Sequence, residues 1–354
     1  MKSGYYVIGL MSGTSMDGLD LAYCHFILTN GSWQFRIIHA ETVRYSENSL
    51  NLLNNARSLS KSVLDKLHVD YGLYLGNQVV KFTDKYQISD YDFIASHGHT
   101  IHHRPAEGVT VQIGSGVEIA NATNKMVISD FRTQDVALGG QGAPLVPIGD
   151  QLLFSDYQSC LNLGGFANVS FETDQRIAFD ISPANIVLNY IARREGVEYD
   201  EGGEMSKKGT VIPELLMTLN TLPFYHQEIP KSLGIEWVEE NIWPLIGTGF
   251  LNEDVLATLV EHISTQISIV LNKHGISNVL VSGGGVYNLV LMNQIQQKST
   301  AKIVILDDAV SEYKEALVFA FLGVLRSRNE INVLSSVTGA KHDHCAGRID
   351  YPKK

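Results

Sequence analysis

Hydrophobic and polar positions along the chain follow two periods that alternate from one segment to the next. Runs rich in β-branched and aromatic residues extend from Tyr5 to Leu10 and from Leu19 to Ile27, with a Gly/Ser/Thr turn between them. Such runs predict two strands joined by a tight turn. From Ser46 to Phe82 the apolar residues instead recur at spacings of three and four, which is the period of amphipathic helices. The chain is therefore predicted to open as strand, turn and strand, followed by helices.

The second half of the chain repeats this arrangement. Residues 160–171 predict an apolar strand, a glycine turn and another strand. Asn252 is placed to cap a long apolar helix, and Gly275 is placed to end it. The remaining segments predict strands at 93–96, 126–129, 278–281 and 302–306, and helices at 289–297 and 312–328. Strands that alternate with helices indicate the α/β fold class.

Length and composition narrow the class of protein. The chain has 354 residues, enough for two lobes, which we expect at about 1–125 plus 335–354 and at 126–334. A net charge of −11 argues against binding to nucleic acid. The three cysteines are widely spaced, and neither a signal-peptide pattern nor an apolar run of about 20 residues is evident. We therefore expect a cytoplasmic protein without disulfides and without membrane association.

A turn rich in glycine, hydroxyl and carboxylate groups follows the first strand. Its sequence from Gly9 to Asp20 is GLMSGTSMDGLD. Glycines let backbone N–H groups approach an anion, hydroxyls add donors, and the two carboxylates are suitable ligands for a metal ion near phosphates. Taken alone, the segment is explained at least as well by an ordinary Gly/Asp hairpin.

Two further glycine turns favour the phosphate-binding interpretation over the ordinary hairpin. They follow apolar strands at Gly164–Gly165 and at Gly283–Gly285. A phosphate-type turn in each half and a third glycine run near the C-terminus together favour a nucleotide-binding protein. The alternative is a set of tight turns at strand ends. No G-x-G-x-x-G opens a helix after the first strand, which argues against a dinucleotide-dependent dehydrogenase.

Two acidic residues are candidates for chemistry. Asp180 ends a predicted strand and precedes an apolar helical stretch, and a carboxylate there can act as a general base if it faces a cleft. A plain helix N-cap for the stretch that starts near Pro183 explains Asp180 equally well. Glu315 lies in a predicted helix, where a solvated charge is the simplest interpretation.

Two histidine clusters also stand out. The first is expected in a loop that makes one or two sugar or phosphate contacts, and its members are His97, His99, His102 and His103. No cysteine or regularly spaced carboxylate completes a tetrahedral metal site with them. The second is expected in a surface tail, is assigned no metal, and consists of His342, His344 and Cys345.

Arg132 lies in a segment, residues 130–147, that combines a strand-end acid with a glycine-rich loop. A guanidinium can pair bidentately with a carboxylate of a substrate. The alternative is a structural Asp–Arg ion pair that braces the loop.

At these residues the chain resembles the anhydro-N-acetylmuramic acid kinases, bacterial enzymes of cell-wall peptidoglycan recycling in the actin and hexokinase-like superfamily. The resemblance covers nearly the whole chain, and its first and third motifs are highly specific. The motifs are MSGTSMDGLD at 11–20, SHGHT at 96–100, residues 130–147, NLGGFAN at 162–168, SGGG at 282–285, Glu315-Ala316 and SVTGA at 336–340.

The resemblance implies a fold, a reaction and partners. The fold is two ribonuclease-H-like lobes with ATP and Mg²⁺ in the cleft between them, and the protein is a homodimer. In the implied reaction, water opens the 1,6-anhydro ring at the anomeric carbon while the released sugar oxygen takes the γ-phosphoryl group. The products are N-acetylmuramic acid 6-phosphate and ADP.

The resemblance also implies roles for individual residues. Asp180 is the base that activates water, and His97, Arg132 and Glu315 are substrate contacts, with Arg132 on the lactyl carboxylate. Asp17 is the implied metal ligand. The implied ATP-binding residues are Gly13, Thr14, Ser15, Met16, Asp17, Gly18, Leu19, Asp20, Gly164, Gly165, Gly283, Gly284 and Gly285.

Three departures from the family pattern put substrate fit and rate in question. Asp180 is followed by ISPAN where the family has Thr-Gly-Pro-Gly-Asn, residues 231–236 are KSLGIE where Lys-Ser-Thr-Gly-Arg-Glu is usual, and His99 replaces glutamine. Two alternatives therefore remain. One is a non-catalytic sugar- or nucleotide-sensing protein of the same fold, and the other is a kinase of another sugar.

Overall fold

A computed structural model describes residues 2–13, 16, 18–247 and 249–353. The chain divides into two compact units. Unit 1 contains Met1–Leu153 and Tyr313–Lys354, and unit 2 contains Phe154–Glu312. Both ends of the chain therefore belong to unit 1.

These boundaries differ from the expected ones at 125/126 and 334/335. Residues 126–153 group with unit 1 because the strand Val127–Ser129 pairs in parallel with the strand that begins at Phe93. Residues 313–334 do so because their helix packs directly on the first strand. A Cβ atom on Gly9 would overlap the backbone carbonyl of Ala316, so only glycine permits this approach.

Unit 1 is built on a seven-stranded mixed sheet. Its strands are β1 (Gly4–Ser12), β2 (Leu19–Thr29), β3 (Ser32–Val43), β4 (Phe93–Arg104), β5 (Val109–Ile113), β6 (Val127–Ser129) and β12 (Arg348–Asp350). The order is β12-β6-β4-β1-β2-β3, and β5 pairs with β4. β2 is antiparallel to both β1 and β3, whereas β4 is parallel to both β1 and β6.

The helices of unit 1 include the amphipathic stretch predicted after the second strand. They are α1 (Glu47–Asn55), α2 (Lys61–Tyr86), α3 (Gly116–Thr123), α4 (Thr133–Ala137), α5 (Pro147–Leu153) and α12 (Ser335–Thr338). Leu67, Leu75 and Val79 of α2 are buried in the core of the unit, which confirms the three- and four-residue spacing. A further helix, α11 (Asp308–Ser327), enters unit 1 at Tyr313, where its backbone departs from helical geometry.

Unit 2 has a five-stranded sheet. Its strands are β7 (Ser159–Leu163), β8 (Phe166–Glu172), β9 (Arg176–Pro183), β10 (Asn278–Ser282) and β11 (Lys302–Ile305), in the order β11-β10-β7-β8-β9. β7, β8 and β9 are antiparallel, and β10 is parallel to both β7 and β11. Its helices are α6 (Asn185–Arg194), α7 (Pro213–Asn220), α8 (Ile235–Asn241), α9 (Asn252–Lys273) and α10 (Leu289–Lys298).

The two sheets share one strand order. In each sheet, three antiparallel strands come first, and two further strands add in parallel on the far side of the first one: β4 and β6 in unit 1, and β10 and β11 in unit 2. Unit 1 also has β5 and β12, which pair antiparallel with β4 and β6. This arrangement confirms the predicted restart of the fold near residue 160 and the α/β class. Each unit has the strand order of a ribonuclease-H-like domain.

The long helix α9 forms much of the core of unit 2. Its length and hydropathy would suffice to cross a membrane, but 72% of its apolar window is buried inside the protein. Gly275 ends the helix in a left-handed conformation with φ of 63°, as predicted. The predicted Asn252 cap is wrong, because the capping residue is Leu251 and Asn252 already belongs to the helix.

Candidate active site

The first glycine turn joins β1 to β2. Ser12 ends β1 and pairs with Leu19 at the start of β2, so the turn leaves and re-enters the sheet at one point. Met16 has φ of 57°, and its N–H donates to the carbonyl of Gly13 at 3.3 Å. Positive φ at a residue other than glycine is uncommon and concentrates at functional turns.

Of the two carboxylates of this turn, Asp20 is among the residues that the structure describes and Asp17 is not. Asp20 Oδ1 accepts a hydrogen bond from Thr42 Oγ1 at 2.6 Å, so this carboxylate is attached to β3. Thr14, Ser15 and Asp17 lie outside the residues that the structure describes, and the roles predicted for them stay predictions. Within the described part of the chain, no three or more His, Cys, Asp or Glu side chains group as a metal site.

The two glycine turns of unit 2 lie at the ends of neighbouring strands. β7 and β10 pair in parallel with Asn162 opposite Ser282, and a glycine turn follows each strand. Gly283 has φ of 87°, and a Cβ atom there would collide with the Asn162 side chain and the Leu163 backbone. Ligands commonly bind at the carboxyl ends of parallel strands, which is where both predicted turns are found.

The Gly164–Gly165 turn also receives the start of α6. The Gly165 carbonyl accepts from the N–H of Ala184 at 2.8 Å and of Ile186 at 3.1 Å, and the Gly164 carbonyl accepts from the N–H of Asn185 at 3.1 Å. These contacts satisfy N–H groups that the first turn of a helix leaves without an intrahelical partner. The turn therefore fixes the helix that follows β9.

Asp180 lies within β9, opposite Asn168 of β8, rather than at the strand end. Its backbone N–H donates to the carbonyl of Lys231 at 2.9 Å, and its carboxylate accepts the N–H of Leu233 at 2.8 Å. Burial raises the pKa of Asp180 to about 6, although the Leu233 N–H lowers it in part. The residue that caps α6 is Ala184, so the N-cap interpretation of Asp180 is wrong.

The segment that contacts Asp180, residues 223–234, is itself fixed within unit 2. Lys231 Nζ donates to the Phe224 carbonyl at 2.8 Å and lies 4.4 Å from the centroid of the Phe224 ring. The Tyr225 hydroxyl contacts Nε2 of His262 in α9 at 2.7 Å. These contacts hold the Leu233 N–H at a defined position beside Asp180.

The departures from the family pattern around Asp180 fit this geometry. The residues from Ile181 to Pro183 continue β9, and Ala184 has φ of −129°, so no left-handed backbone is needed where the family has glycine. Leu233 reaches Asp180 through its backbone N–H, so the contact does not depend on the threonine hydroxyl that the family usually has there.

In unit 1 the structure brings His97 and Arg132 together. Arg132 Nε donates to His97 Nε2 at 3.0 Å, and Nη1 donates to the Gly142 carbonyl at 2.5 Å. Since Nε2 accepts, the neutral imidazole carries its proton on Nδ1 and donates it to the Gly98 carbonyl, 2.9 Å away. Burial and the Arg132 charge hold the pKa of His97 well below its usual value, so the imidazole is neutral at pH 7.

The third predicted substrate contact, Glu315, is exposed on α11 in the same unit. Burial lowers the pKa of Arg132 to about 10, while the charges of Glu315 and Asp135 act in the opposite direction. The guanidinium therefore stays protonated at pH 7. The structure assigns Arg132 an imidazole and a carbonyl as hydrogen-bond partners, in place of the ion pair considered above.

The loop after Arg132 is braced by Asp135 instead. This carboxylate is fully buried, and it accepts the N–H of Gly142 at 2.6 Å and the Thr338 hydroxyl at 2.7 Å. His344 Nε2 lies 3.5 Å from it, and His344 is only 5% exposed. The expectation of a surface tail is therefore wrong for His344, because its backbone also pairs with Val333.

The first histidine cluster lies in a strand and not in the expected loop. β4 runs from Phe93 to Arg104, and β5 pairs with its second half, which is why the histidine-rich part remains extended. A cavity of about 550 Å³ opens in unit 1 beside this strand. Its walls include His68, His97, His102, Asp130 and Arg348.

Two groups of the site were missed by the reasoning from sequence. The first is the Leu233 N–H, for which no side-chain signal exists, because any residue except proline supplies this donor. The second is Asp135, which stands three positions after Arg132 in a segment already singled out. Its bracing role was concealed because its other partner, the Thr338 hydroxyl, lies 203 residues away in sequence.

Comparisons with known proteins bear on the whole chain. The sequence profile of the family described as anhydro-N-acetylmuramic acid kinase matches residues 5–353. A relative of that name from Bacillus cereus is 34% identical over 380 residues, which cover 98% of this chain and 97% of the relative. One from Bacillus thuringiensis subsp. konkukian is also 34% identical, over 98% of this chain and 99% of the relative.

Solved structures with some similarity are more distant. Component A of (R)-2-hydroxyglutaryl-CoA dehydratase from Acidaminococcus fermentans has a TM-score of 0.46 and 13% identity, covering 89% of this chain and 96% of that one. A ROK family glucokinase from Streptomyces griseus, in complex with glucose and AMPPNP, has a TM-score of 0.40 and 9% identity, covering 90% and 98%.

The family profile and the relatives both match this chain over almost its full length. The strand order within each of the two sheets is the ribonuclease-H-like order that the resemblance to the actin and hexokinase-like superfamily predicts. This chain belongs to the anhydro-N-acetylmuramic acid kinase family, and it is a phosphotransferase of that family.

Proposed function

We propose that this protein uses ATP to convert 1,6-anhydro-N-acetylmuramic acid into N-acetylmuramic acid 6-phosphate. The observation that carries the proposal is the environment of Asp180. Its carboxylate is partly buried, accepts one backbone N–H, and has a pKa of about 6. A general base works best when its pKa lies close to the pH at which the enzyme operates.

In the proposed reaction Asp180 takes a proton from water, and the water oxygen attacks the anomeric carbon C1. The bond from C1 to O6 of the anhydro bridge breaks, and O6 attacks the γ-phosphorus of ATP. The bond from that phosphorus to the bridging oxygen of ADP then breaks. The sugar gains one water oxygen and one phosphoryl group, and ADP leaves.

The turn from Gly13 to Asp20 is proposed to hold the phosphates of ATP, with the turns at Gly164–Gly165 and Gly283–Gly285 as further nucleotide contacts. Their support is the positive φ of Met16 and Gly283 and the location of the unit 2 turns at strand ends. Backbone N–H groups in such turns bind anions without requiring a charged side chain.

Mg²⁺ is proposed to accompany ATP. This ion commonly takes one or two carboxylates besides phosphate oxygens and water, so a cage of three protein ligands is not required. Asp17 is the proposed carboxylate. When bound, the ion would neutralise phosphate charge.

His97, Arg132 and Glu315 are proposed to contact the sugar. The neutral His97 imidazole orients the Arg132 guanidinium, whose fork shape suits the lactyl carboxylate. Phosphoryl transfer depends mainly on positioning and charge stabilisation, and these residues would supply the positioning.

We further infer a cytoplasmic homodimer that acts in peptidoglycan recycling. The family resemblance supports the dimer and the pathway, and the three free cysteines suit a reducing compartment. Sedimentation equilibrium of the purified protein tests the dimer directly, because a monomer has a mass of 39.1 kDa.

One experiment tests the reaction. The purified protein is mixed with 1,6-anhydro-N-acetylmuramic acid, ATP and Mg²⁺ in water enriched in ¹⁸O, and the sugar product is analysed by mass spectrometry. A phosphorylated sugar with one heavy oxygen is expected. A phosphorylated sugar without the heavy oxygen would contradict the hydrolytic step, and no phosphorylated sugar would contradict the substrate assignment.

A further inference from the structure

Four buried polar side chains form a network at the end of β1, and the proposed reaction does not use them. We call them the Ser12 network: Ser12, Tyr45, Tyr71 and His99. Ser12 Oγ lies 2.7 Å from the Tyr45 hydroxyl and 2.8 Å from His99 Nδ1. The Tyr45 hydroxyl lies 2.7 Å from the Tyr71 hydroxyl, which extends the chain of hydrogen bonds.

The network is shielded from solvent. Ser12 and His99 are each 1% exposed, Tyr71 is 6% exposed and Tyr45 is 8% exposed. Burial lowers the pKa of His99 to about 4, so its imidazole is neutral at pH 7 and carries one ring proton. The Ser12 and Tyr45 hydroxyls, which each have two partners, can then donate one hydrogen bond and accept one, in either direction along the chain. Buried networks that are fully satisfied are rigid.

The network connects the end of β1 to several separate elements. Ser12 is the last residue of β1, His99 lies in β4, Tyr71 lies in α2, and Tyr45 lies between β3 and α1. In the sheet, Ser12 also faces His99 across the β1–β4 ladder, after a bulge that shifts the register. The backbone of Ser12 is therefore fixed from its strand neighbours and from its own side chain.

This anchoring point directly precedes the turn. Gly13 follows Ser12, and the turn then returns to Leu19, which pairs with Ser12. The path of a short turn depends on the position and direction of its two ends. A shift of Ser12 would consequently displace Gly13, the residue at which the turn begins.

We propose that the Ser12 network positions the Gly13–Asp20 turn for the triphosphate of ATP, with Ser12, Tyr45 and His99 as positioning residues. This inference rests on the proposed function only in requiring that this turn binds ATP. It also predicts that glutamine can replace His99, since either side chain can hydrogen-bond to the Ser12 hydroxyl.

The test compares variants that break the network with variants that preserve it. Tyr45→Phe removes one hydroxyl, His99→Leu removes the imidazole, and His99→Gln restores a hydrogen-bonding group. The matched controls are Tyr91→Phe, a buried tyrosine of the same core outside the network, and His103→Leu, an exposed histidine of the same strand. Steady-state kinetics give KM for ATP and KM for the anhydrosugar separately, and thermal unfolding reports the folded fraction.

Tyr45→Phe and His99→Leu are expected to raise KM for ATP about tenfold while KM for the sugar changes less than twofold. His99→Gln and both controls should stay within about twofold of the unchanged protein for ATP. If His99→Leu does not fold, Tyr45→Phe and His99→Gln still decide the question, because they keep nearly the original volume.

Two results would overturn the proposal. One is a folded Tyr45→Phe protein whose KM for ATP is unchanged, and the other is an equal rise in KM for both substrates. Titration calorimetry with ATP and Mg²⁺ separates this outcome from failure of the proposed function. If the unchanged protein binds ATP but has no activity on the sugar, binding affinities replace KM in the comparison. If it does not bind ATP, both proposals are wrong.

Discussion

Asp180 in unit 2 and Arg132 in unit 1 are both partly buried charged groups, but they are held in different ways. Asp180 is fixed by backbone atoms, since its own N–H binds the Lys231 carbonyl and its carboxylate accepts the Leu233 N–H. Arg132 depends on the side chain of His97 in addition to the Gly142 carbonyl.

This difference explains which residues can be substituted without losing the hydrogen bonds to Asp180 or Arg132. A backbone donor survives almost any substitution, so leucine at 233 serves as well as the usual threonine for the contact with Asp180. A contact between two side chains requires both residue types, because an unpaired buried polar group is costly. Changes near Asp180 should therefore be tolerated more often than changes near Arg132.

The largest effect is expected from Asp180→Asn, which keeps the shape of the side chain but removes the proposed base. Turnover of the anhydrosugar should fall by about 10³-fold or more, because general-base catalysis contributes roughly 10²–10⁴. Affinity for ATP, measured by calorimetry, should stay within about threefold. Retention of more than a tenth of the activity would remove Asp180 from this role.

Leu233→Pro tests the backbone contact, because proline has no N–H to donate. The kcat is expected to fall by roughly ten- to a hundredfold, since a small misplacement of a catalytic group has effects of this size. The matched control, Leu233→Ala, keeps the N–H and should change kcat less than about threefold. Equal losses in the two variants would mean that the leucine side chain matters and the N–H does not.

His97→Leu tests the side-chain contact in unit 1. Loss of the acceptor for Arg132 should raise KM for the anhydrosugar about tenfold, the usual scale for a hydrogen bond to a charged group. His97→Gln retains an acceptor oxygen and should show a smaller rise. The comparison between the two regions would fail if both His97 variants kept the original KM in steady-state assays.

The pH profile should show the raised pKa of Asp180. The base must be deprotonated to accept a proton from water, so kcat/KM should rise through a pKa of about 6 and level off above it. Between pH 7 and pH 5 the expected loss is about tenfold. The Leu233 N–H lowers the pKa of Asp180, so its loss in Leu233→Pro should raise this pKa and move the acidic limb of the profile to higher pH. A limb near pH 4 in the unchanged protein would contradict the assignment.

Local patterns predicted much of this molecule, while contacts distant in sequence did not follow from them. The strand–turn–strand opening, its repeat near residue 160 and the end of α9 at Gly275 depend on neighbouring residues, and the structure confirms them. The histidines of β4 are extended because β5 pairs with them, which the residues themselves do not encode. The unit boundaries depend in the same way on long-range pairing.

The candidate site shows the same difference between features that are local in sequence and features that are not. Side-chain chemistry indicated Asp180 and Arg132, but their partners were not predictable. Leu233 lies 53 residues from Asp180, and the donated group is one that every residue except proline has. Asp135 and Thr338 are 203 residues apart, and only the folded chain brings them within hydrogen-bonding distance.

The division of unit 1 between the two ends of the chain has a consequence for its synthesis on the ribosome. Unit 2 is complete once residue 312 has been made, whereas unit 1 still requires β12, at Arg348–Asp350, which pairs with β6. Until then, β6 is without its antiparallel neighbour, and exposed strand edges favour aggregation. Unit 2 can therefore fold during translation before unit 1, whose sheet is completed only after β12 has been synthesised.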